Sequence, residues 1–166
     1  GEAEAVLGGT LRGRRDRAIV ATKIWTSSDA EAAQQIDHAL GCFGGRIDVY
    51  QVHNLVAWKR RLETLDAMKQ RGAIRAIGVT HYSAPAFEEL RQVMRDPRVD
   101  TIQIPYNPRE REVERFVLPE ADALGLGVIE MAQEGSGVGV FKIEARKFLL
   151  SLQEDIAIRN FLRTRA

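Results

Sequence analysis

The sequence has one cysteine and almost no net charge, and these shortages exclude several classes of protein. A single thiol, Cys42, builds neither a disulfide framework nor a zinc site, so we predict that Cys42 is a packing residue. The 24 lysines and arginines nearly cancel the 23 aspartates and glutamates, which gives no indication of nucleic-acid or membrane-surface binding. The apolar runs are too short to span a bilayer, and no leader segment is evident. We therefore expect a cytoplasmic protein without a metal site.

The composition is that of an ordinary folded domain, with 45% hydrophobic and 28% charged residues. Runs rich in β-branched residues recur about every 27 residues, and segments with helical spacing of apolar residues lie between them. The predicted strands are Ala18–Ile24, Ile47–His53, Ala73–Thr80, Thr101–Tyr106 and Gly127–Ala132. The predicted helices are Ala30–Gly41, Lys59–Arg71, Pro85–Arg95 and Glu112–Leu124, after a short first helix within Gly1–Leu11.

This alternation of strands and helices indicates βαβ units and a parallel sheet. An open doubly wound sheet usually has a glycine-rich phosphate loop after its first strand, and Ile24–Ser28 has no glycine. We therefore predict an α/β fold that is a partial TIM barrel of about five units, since eight units need about 250 residues. The pattern ends after Met131, and we predict an amphipathic C-terminal helix over Phe141–Ala166. The expected domains are an incomplete barrel at 1–140 and this helix at 141–166.

Two ionisable side chains lie at the C-terminal ends of the first two predicted strands. Lys23 ends the run Ile-Val-Ala-Thr-Lys, and His53 ends the run that begins at Ile47. Because the C-terminal ends of barrel strands converge on one mouth, Lys23 and His53 can face the same pocket. The alternative is a strand-end lysine that reaches solvent and a histidine that is an ordinary polar loop residue.

Four motifs, in this order, resemble the middle of an aldo-keto reductase. They are Ala-Thr-Lys at 21–23, Asp-Val-Tyr-Gln-Val-His-Asn at 48–54, Ile-Gly-Val-Thr-His-Tyr-Ser at 77–83 and Ile-Gln-Ile-Pro-Tyr-Asn at 102–107. The resemblance covers about residues 1 to 137. It implies an eight-stranded barrel that binds NADPH across its mouth and transfers a hydride to the carbonyl carbon of a small aldehyde or ketone.

The resemblance also implies a catalytic set of an aspartate, a tyrosine, a lysine and a histidine. Lys23 and His53 match the lysine and the histidine: the amine lowers the pKa of the phenol, and the imidazole binds the carbonyl oxygen. The opening Gly1–Leu11 resembles the segment directly after that tyrosine, so the expected tyrosine and aspartate lie outside the chain. We therefore expect impaired or absent activity and self-association through open barrel edges. The alternative is a non-catalytic barrel remnant that serves as a binding or regulatory module.

The cofactor site that the resemblance implies is Thr80, His81, Gln103, Met131, Gly135, Ser136 and Gly137. Thr80, His81 and Gln103 match the clamp on the nicotinamide carboxamide, with Thr-His in place of the usual Ser-Asn. Met131 stands where many members have a tyrosine stacked on the nicotinamide, and the glycine-rich stretch matches the loop near the pyrophosphate. The alternatives are that Thr80 is an ordinary strand residue, that Gln103 is a core amide, and that residues 135–137 form a flexible turn.

Two tryptophans follow the lysine and histidine strands. Trp25 and Trp58 are candidates for lining a substrate pocket, and packing against the barrel rim is the alternative for both.

Overall fold

Five parallel strands form the frame of the chain, which the computed structural model describes at residues 1–106, 111–131 and 143–144. The strands are β1 (Ala21–Ile24), β2 (Ile47–His53), β3 (Ile74–Thr80), β4 (Thr101–Pro105) and β5 (Gly127–Met131). Each strand pairs with the next along the chain, and the order never reverses. A doubly wound sheet would reverse its order, so the predicted barrel arrangement of five parallel units is confirmed.

Helices alternate with the strands and cover one face of the sheet. They are α1 (Glu2–Thr10), α2 (Asp29–Cys42), α3 (Trp58–Gln70), α4 (Phe87–Met94) and α5 (Val117–Leu124). Their apolar stripes meet the strands in one core that includes Leu62, Leu65, Leu90, Val52 and Val79. Complete burial of each such side chain contributes about 1.5–3 kcal/mol. None of the described helices has the length and apolar character that a membrane crossing requires.

Two aspartates fix the N-terminal end of the sheet. The Asp48 carboxylate accepts a hydrogen bond from the Val20 backbone N–H at 2.8 Å and from Arg15 Nη2 at 2.7 Å. Asp100 repeats this arrangement, because it accepts from the Ile77 backbone N–H at 2.8 Å and from Lys69 Nζ at 2.6 Å. Each carboxylate thus joins neighbouring strands and neutralises a basic side chain.

The same contact explains why β1 is shorter than predicted. The sequence predicts a strand from Ala18, whereas β1 begins at Ala21. The Val20 N–H is bound to the Asp48 side chain, and the Ala18 carbonyl accepts from Arg15 Nη1 at 2.8 Å. Side chains therefore bind the Val20 N–H and the Ala18 carbonyl, whereas the Val20 carbonyl still accepts from the backbone N–H groups of Asp48 and Val49.

Two predicted helices also begin differently. The helix predicted from Pro85 starts as a 3₁₀ turn at Ala84–Ala86 before α4. The helix predicted over Glu112–Leu124 is a 3₁₀ turn at Glu112–Glu114 followed by α5, and Pro119 lies in the first turn of α5. A proline in a first turn removes an N–H that has no helical partner in any case, so the helix is not broken there.

Residues 143–144 correct part of the prediction for the C-terminal region. Ile143–Glu144 form a sixth strand, β6, that pairs antiparallel with β5, where the sequence predicts helix and no further strand. The free edge of β5 offers unpaired backbone groups, and this pairing satisfies them. The rest of the predicted helix at 141–166 lies outside the described residues.

Cys42 is half-buried and packs against the core, as predicted. Its sulfur lies 3.6 Å from His38 Nε2, one turn earlier on α2.

We predict that Asp48→Ala lowers the free energy of unfolding by about 3–5 kcal/mol. The substitution leaves the Arg15 guanidinium and the Val20 N–H without the carboxylate that accepts their hydrogen bonds. Urea unfolding followed by circular dichroism measures this change. Asp16→Ala is the matched control, since Asp16 pairs with Arg46 on the surface with 92% of its side chain exposed, and it should change stability by less than about 0.5 kcal/mol. Equal losses in the two variants would contradict the prediction.

Candidate active site

The predicted site residues that the structure describes lie at one end of the sheet. His53 and Thr80 are the last residues of β2 and β3, Met131 is the last of β5, and Lys23 is next to last in β1. The strand register places His53 beside Thr80 and Thr80 beside Gln103. Because side chains on paired positions share a face, these polar groups converge at the mouth. Gly135, Ser136 and Gly137 lie outside the described residues.

The charges at the mouth favour a neutral His53. Partial burial lowers the pKa of the Lys23 amine. The pKa of His53 is lowered first by burial and then by the positive charges of Lys23 and His81. A neutral imidazole can donate one hydrogen bond to a carbonyl oxygen and keep an acceptor on its other nitrogen.

The lowered pKa of His53 also sets a pH dependence of stability. The unfolded chain binds a proton at this histidine more readily than the folded chain, with an ordinary pKa of about 6.5. The contribution of His53 therefore makes the free energy of unfolding fall as the pH drops below that value.

The Trp25 ring lies beside the His53 ring in a tilted arrangement. The two ring centroids are 5.4 Å apart with an interplanar angle of 31°, and 62% of Trp25 remains exposed. Trp58 begins α3, is half-buried against the core, and has Lys59 Nζ 5.5 Å from its ring centroid. Trp25 therefore offers an apolar surface at the mouth, whereas Trp58 also has a packing role.

The loop after His53 has an unusual backbone. Asn54, Leu55 and Ala57 all have φ between 50° and 56°, the left-handed region that side chains other than glycine seldom adopt. Burial of Leu55 and a hydrogen bond from the Val56 N–H to the His53 carbonyl at 3.2 Å hold this loop. The strained loop thus fixes the end of β2, and such strain clusters at functional sites.

Thr80, Gln103 and His81 form the part of the mouth opposite Lys23. Thr80 and Gln103 are both buried. The His81 backbone N–H donates to the Gln103 carbonyl at 3.3 Å, and its ring stacks on Tyr82 with centroids 5.4 Å apart. His81 Nδ1 accepts from the Ser83 N–H at 3.0 Å, so its Nε2 is the ring nitrogen left for another partner.

Lys23 belongs to a layer one step below His53 and Thr80, and the other members of this layer were not predicted. Lys23, Gln51, Gly78 and Thr101 are paired positions on one face of the sheet. A Cβ at Gly78 would lie 2.6 Å from Thr101 Oγ1 and 2.7 Å from Gln51 Cγ, so both side chains lean over this glycine. Strand alternation could have identified Gln51, because it lies two residues before His53 and shares its face.

Tyr50 and Tyr106 do not take the place of the expected phenol. Tyr50 is fully buried on the opposite face from Lys23, beside Thr22, whose hydroxyl donates to Glu4 of α1. Burial and the charge of Glu4 raise the pKa of Tyr50. Tyr106 donates its hydroxyl to Glu114 at 2.5 Å.

The sequence profile of the Aldo/keto reductase family matches residues 1–142. The chain belongs to the aldo-keto reductase family. It is 34% identical to the aldo-keto reductase YhdN of Bacillus subtilis (strain 168), in a match that covers 73% of this chain and 40% of that protein. This family membership confirms the resemblance that the four motifs carry.

Solved structures of aldo-keto reductases have the same fold. An aldo/keto reductase from Klebsiella pneumoniae, solved with NADP and acetate, is 25% identical with a TM-score of 0.65, and the match covers 79% of this chain and 47% of that one. A glycerol dehydrogenase from Gluconobacter oxydans is 26% identical with a TM-score of 0.63, over 77% of this chain and 44% of that one. The chain spans less than half the length of each relative, as the predicted partial barrel requires.

We predict that Lys23→Met raises the pKa of His53, because it removes a positive charge that disfavours protonation of the imidazole. The chemical shift of the His53 C–H protons, followed by NMR across pH 4 to 9, measures that pKa. Lys59→Met removes an exposed lysine beside Trp58 and should leave His53 unchanged. A His53 pKa that stays the same or falls in Lys23→Met would rule out this electrostatic coupling.

Proposed function

We propose that the chain carries the lysine and histidine part of a site that reduces the carbonyl of a small aldehyde or ketone with NADPH. The observation that carries the proposal is the meeting of Lys23, His53, Thr80 and Gln103 at one end of a parallel sheet in an aldo-keto reductase chain. The NADP bound by the Klebsiella pneumoniae relative supports the choice of cofactor. A cytoplasmic location remains part of the proposal.

The polar groups at the mouth fit a nicotinamide carboxamide. Among the described residues, neither the Thr80 hydroxyl nor the Gln103 side-chain amide has a hydrogen-bond partner, although both residues are buried. A primary carboxamide has both a carbonyl acceptor and N–H donors, which Thr80 and Gln103 can satisfy. NADPH supplies the hydride when it is bound.

His53 would act on the substrate oxygen and Lys23 on the proton donor. The neutral His53 ring can donate a hydrogen bond to the carbonyl, which orients it and polarises its carbon. The Lys23 ammonium would lower the pKa of the tyrosine phenol that the family resemblance implies. Met131 is half-exposed at the end of β5, and its thioether can cover an apolar ring. We propose that Gly135, Ser136 and Gly137 approach the pyrophosphate through backbone N–H groups.

We predict that NADPH binds weakly to the 166-residue chain and that Gln103→Leu and Thr80→Val weaken this binding further. Each lost hydrogen bond to the carboxamide should cost about 0.5–1.5 kcal/mol. Quenching of tryptophan fluorescence during NADPH titration measures the affinity, since Trp25 lies at the mouth. Gln34→Leu and Thr10→Val change the same residue types on helices and should bind as the unmodified chain does.

The same protein samples test turnover. We expect little or no oxidation of NADPH with an aromatic aldehyde, because general acid catalysis is worth about 10²–10⁴-fold and no tyrosine of this sequence matches the family motif. Equal affinity in all four variants would contradict the proposed cofactor site. Robust turnover that Lys23→Met abolishes would show that another group of the chain donates the proton.

We also propose self-association through the free edge of β1. Among the described strands, only β2 pairs with β1. The exposed apolar side chains Val6, Leu7, Ile19 and Trp25 belong to α1 or flank β1. Light scattering coupled to size exclusion should show dimers that decrease in Ala21→Pro, because proline cannot donate to a strand ladder. A monomer at 100 μM would reject this proposal.

A further inference from the structure

Gln35 of α2 is bound to both backbone polar groups of Trp25. The Trp25 N–H donates to Gln35 Oε1 at 3.0 Å, and Gln35 Nε2 donates to the Trp25 carbonyl at 3.2 Å. Trp25 directly follows β1, on whose outer edge the structure describes no further strand. The side-chain amide of Gln35 therefore takes the place that the peptide group of a neighbouring strand would have.

Gln35 is itself held in place. Its helix is anchored by the buried residues Ala32 and Ile36. Gln35 Nε2 lies 3.4 Å from Glu31 Oε1, and the other oxygen of Glu31 accepts from the Thr26 hydroxyl at 2.6 Å. These contacts tie α2 to the turn that follows β1, so the amide of Gln35 has a fixed position when it meets Trp25.

The fixed backbone explains the position of the Trp25 ring. An indole that is 62% exposed has few contacts to hold it, and exposed side chains change rotamer within nanoseconds. With its N–H and carbonyl both bound, Trp25 has a fixed Cα–Cβ direction, so only the χ1 and χ2 rotations remain, and the rotamer in this structure places the ring 5.4 Å from the His53 ring. An indole in this position can shield one side of the imidazole from water.

We propose that Gln35 is a positioning residue that fixes Trp25 against His53 and thereby keeps water from one side of the imidazole. The importance of this arrangement for carbonyl reduction rests on the proposed function. The arrangement itself can be measured without turnover, through the protonation of His53.

Other charged groups also act on His53. Lys23 on β1 and His81 after β3 both bring positive charge toward the imidazole, and Glu89 on α4 acts on His81. Lys23 and Glu31 line the same cavity as Gln35. The comparison with Trp25→Ala therefore assigns a change in the His53 titration to the position of Trp25.

The experiment compares Gln35→Leu with Gln34→Leu by NMR titration of the three histidines. We expect the His53 midpoint to rise toward its ordinary value of about 6.5 in Gln35→Leu, because water reaches the ring. Gln34→Leu changes the same residue type at an exposed neighbouring position, so it should leave the midpoint unchanged. Trp25→Ala should give a rise like that of Gln35→Leu, and adding Gln35→Leu to Trp25→Ala should give no further rise.

Gln35→Glu supplies a graded test and also covers the case in which Gln35→Leu does not fold. It keeps the acceptor for the Trp25 N–H, loses the donor to the Trp25 carbonyl and adds a negative charge, which by itself raises the pKa of His53. Gln34→Glu adds the same charge one residue away, so the His53 midpoint should rise more in Gln35→Glu than in Gln34→Glu. An unchanged midpoint in Gln35→Leu or Gln35→Glu would overturn the proposal. So would an equal rise in Gln34→Leu, or a further rise when Gln35→Leu is added to Trp25→Ala. NADPH titration of the same samples tests the proposed function separately.

Discussion

Parallel pairing of β2 with its two neighbours determines where Lys23, His53 and Thr80 lie. The register sets Lys23 beside Gln51 and His53 beside Thr80. A shift of one residue would turn a whole strand over, because successive side chains point to opposite faces. Lys23 would then point toward the helices, and Tyr50 would face the sheet interior. The chemistry of the mouth therefore depends on the contacts that hold this register.

Those contacts are concentrated at the opposite end of the strands. Asp48 and Asp100 bind backbone N–H groups of the neighbouring chain segments at the N-terminal end of the sheet, whereas His53 and Thr80 lie at the C-terminal end. In barrels of this kind the N-terminal end of the strands serves stability and the C-terminal end serves chemistry. Separating the two lets the layer below the mouth contain buried polar atoms of Gln51 and Thr101 without partners among the described residues, since contacts at the other end of the strands stabilise the fold.

The sequence predicted the strands well where pattern and backbone pairing agree. β2 has the predicted bounds, because a run of β-branched and aromatic residues is buried on both faces. The start of β1 was wrong because a side chain, Asp48, binds its backbone, and no local pattern indicates such a contact. The bond between Gln35 and Trp25 was missed for the same reason, since α2 must pack before these residues meet. The roles of Lys23, His53 and the cofactor residues remain predictions, and those of Gly135, Ser136 and Gly137 concern residues that the structure does not describe.

Gly78 has no side chain, and this leaves room in the layer below the mouth. Gln51 and Thr101 lean into the space that a methyl group at Gly78 would fill, so these two side chains lie low in the sheet interior. The layer of His53, Thr80 and Gln103 is one step nearer the mouth on the same face. A larger residue at position 78 would raise the floor toward that layer and leave a shallower pocket. The volume available to a bound molecule is thus set in part by a residue that never touches it.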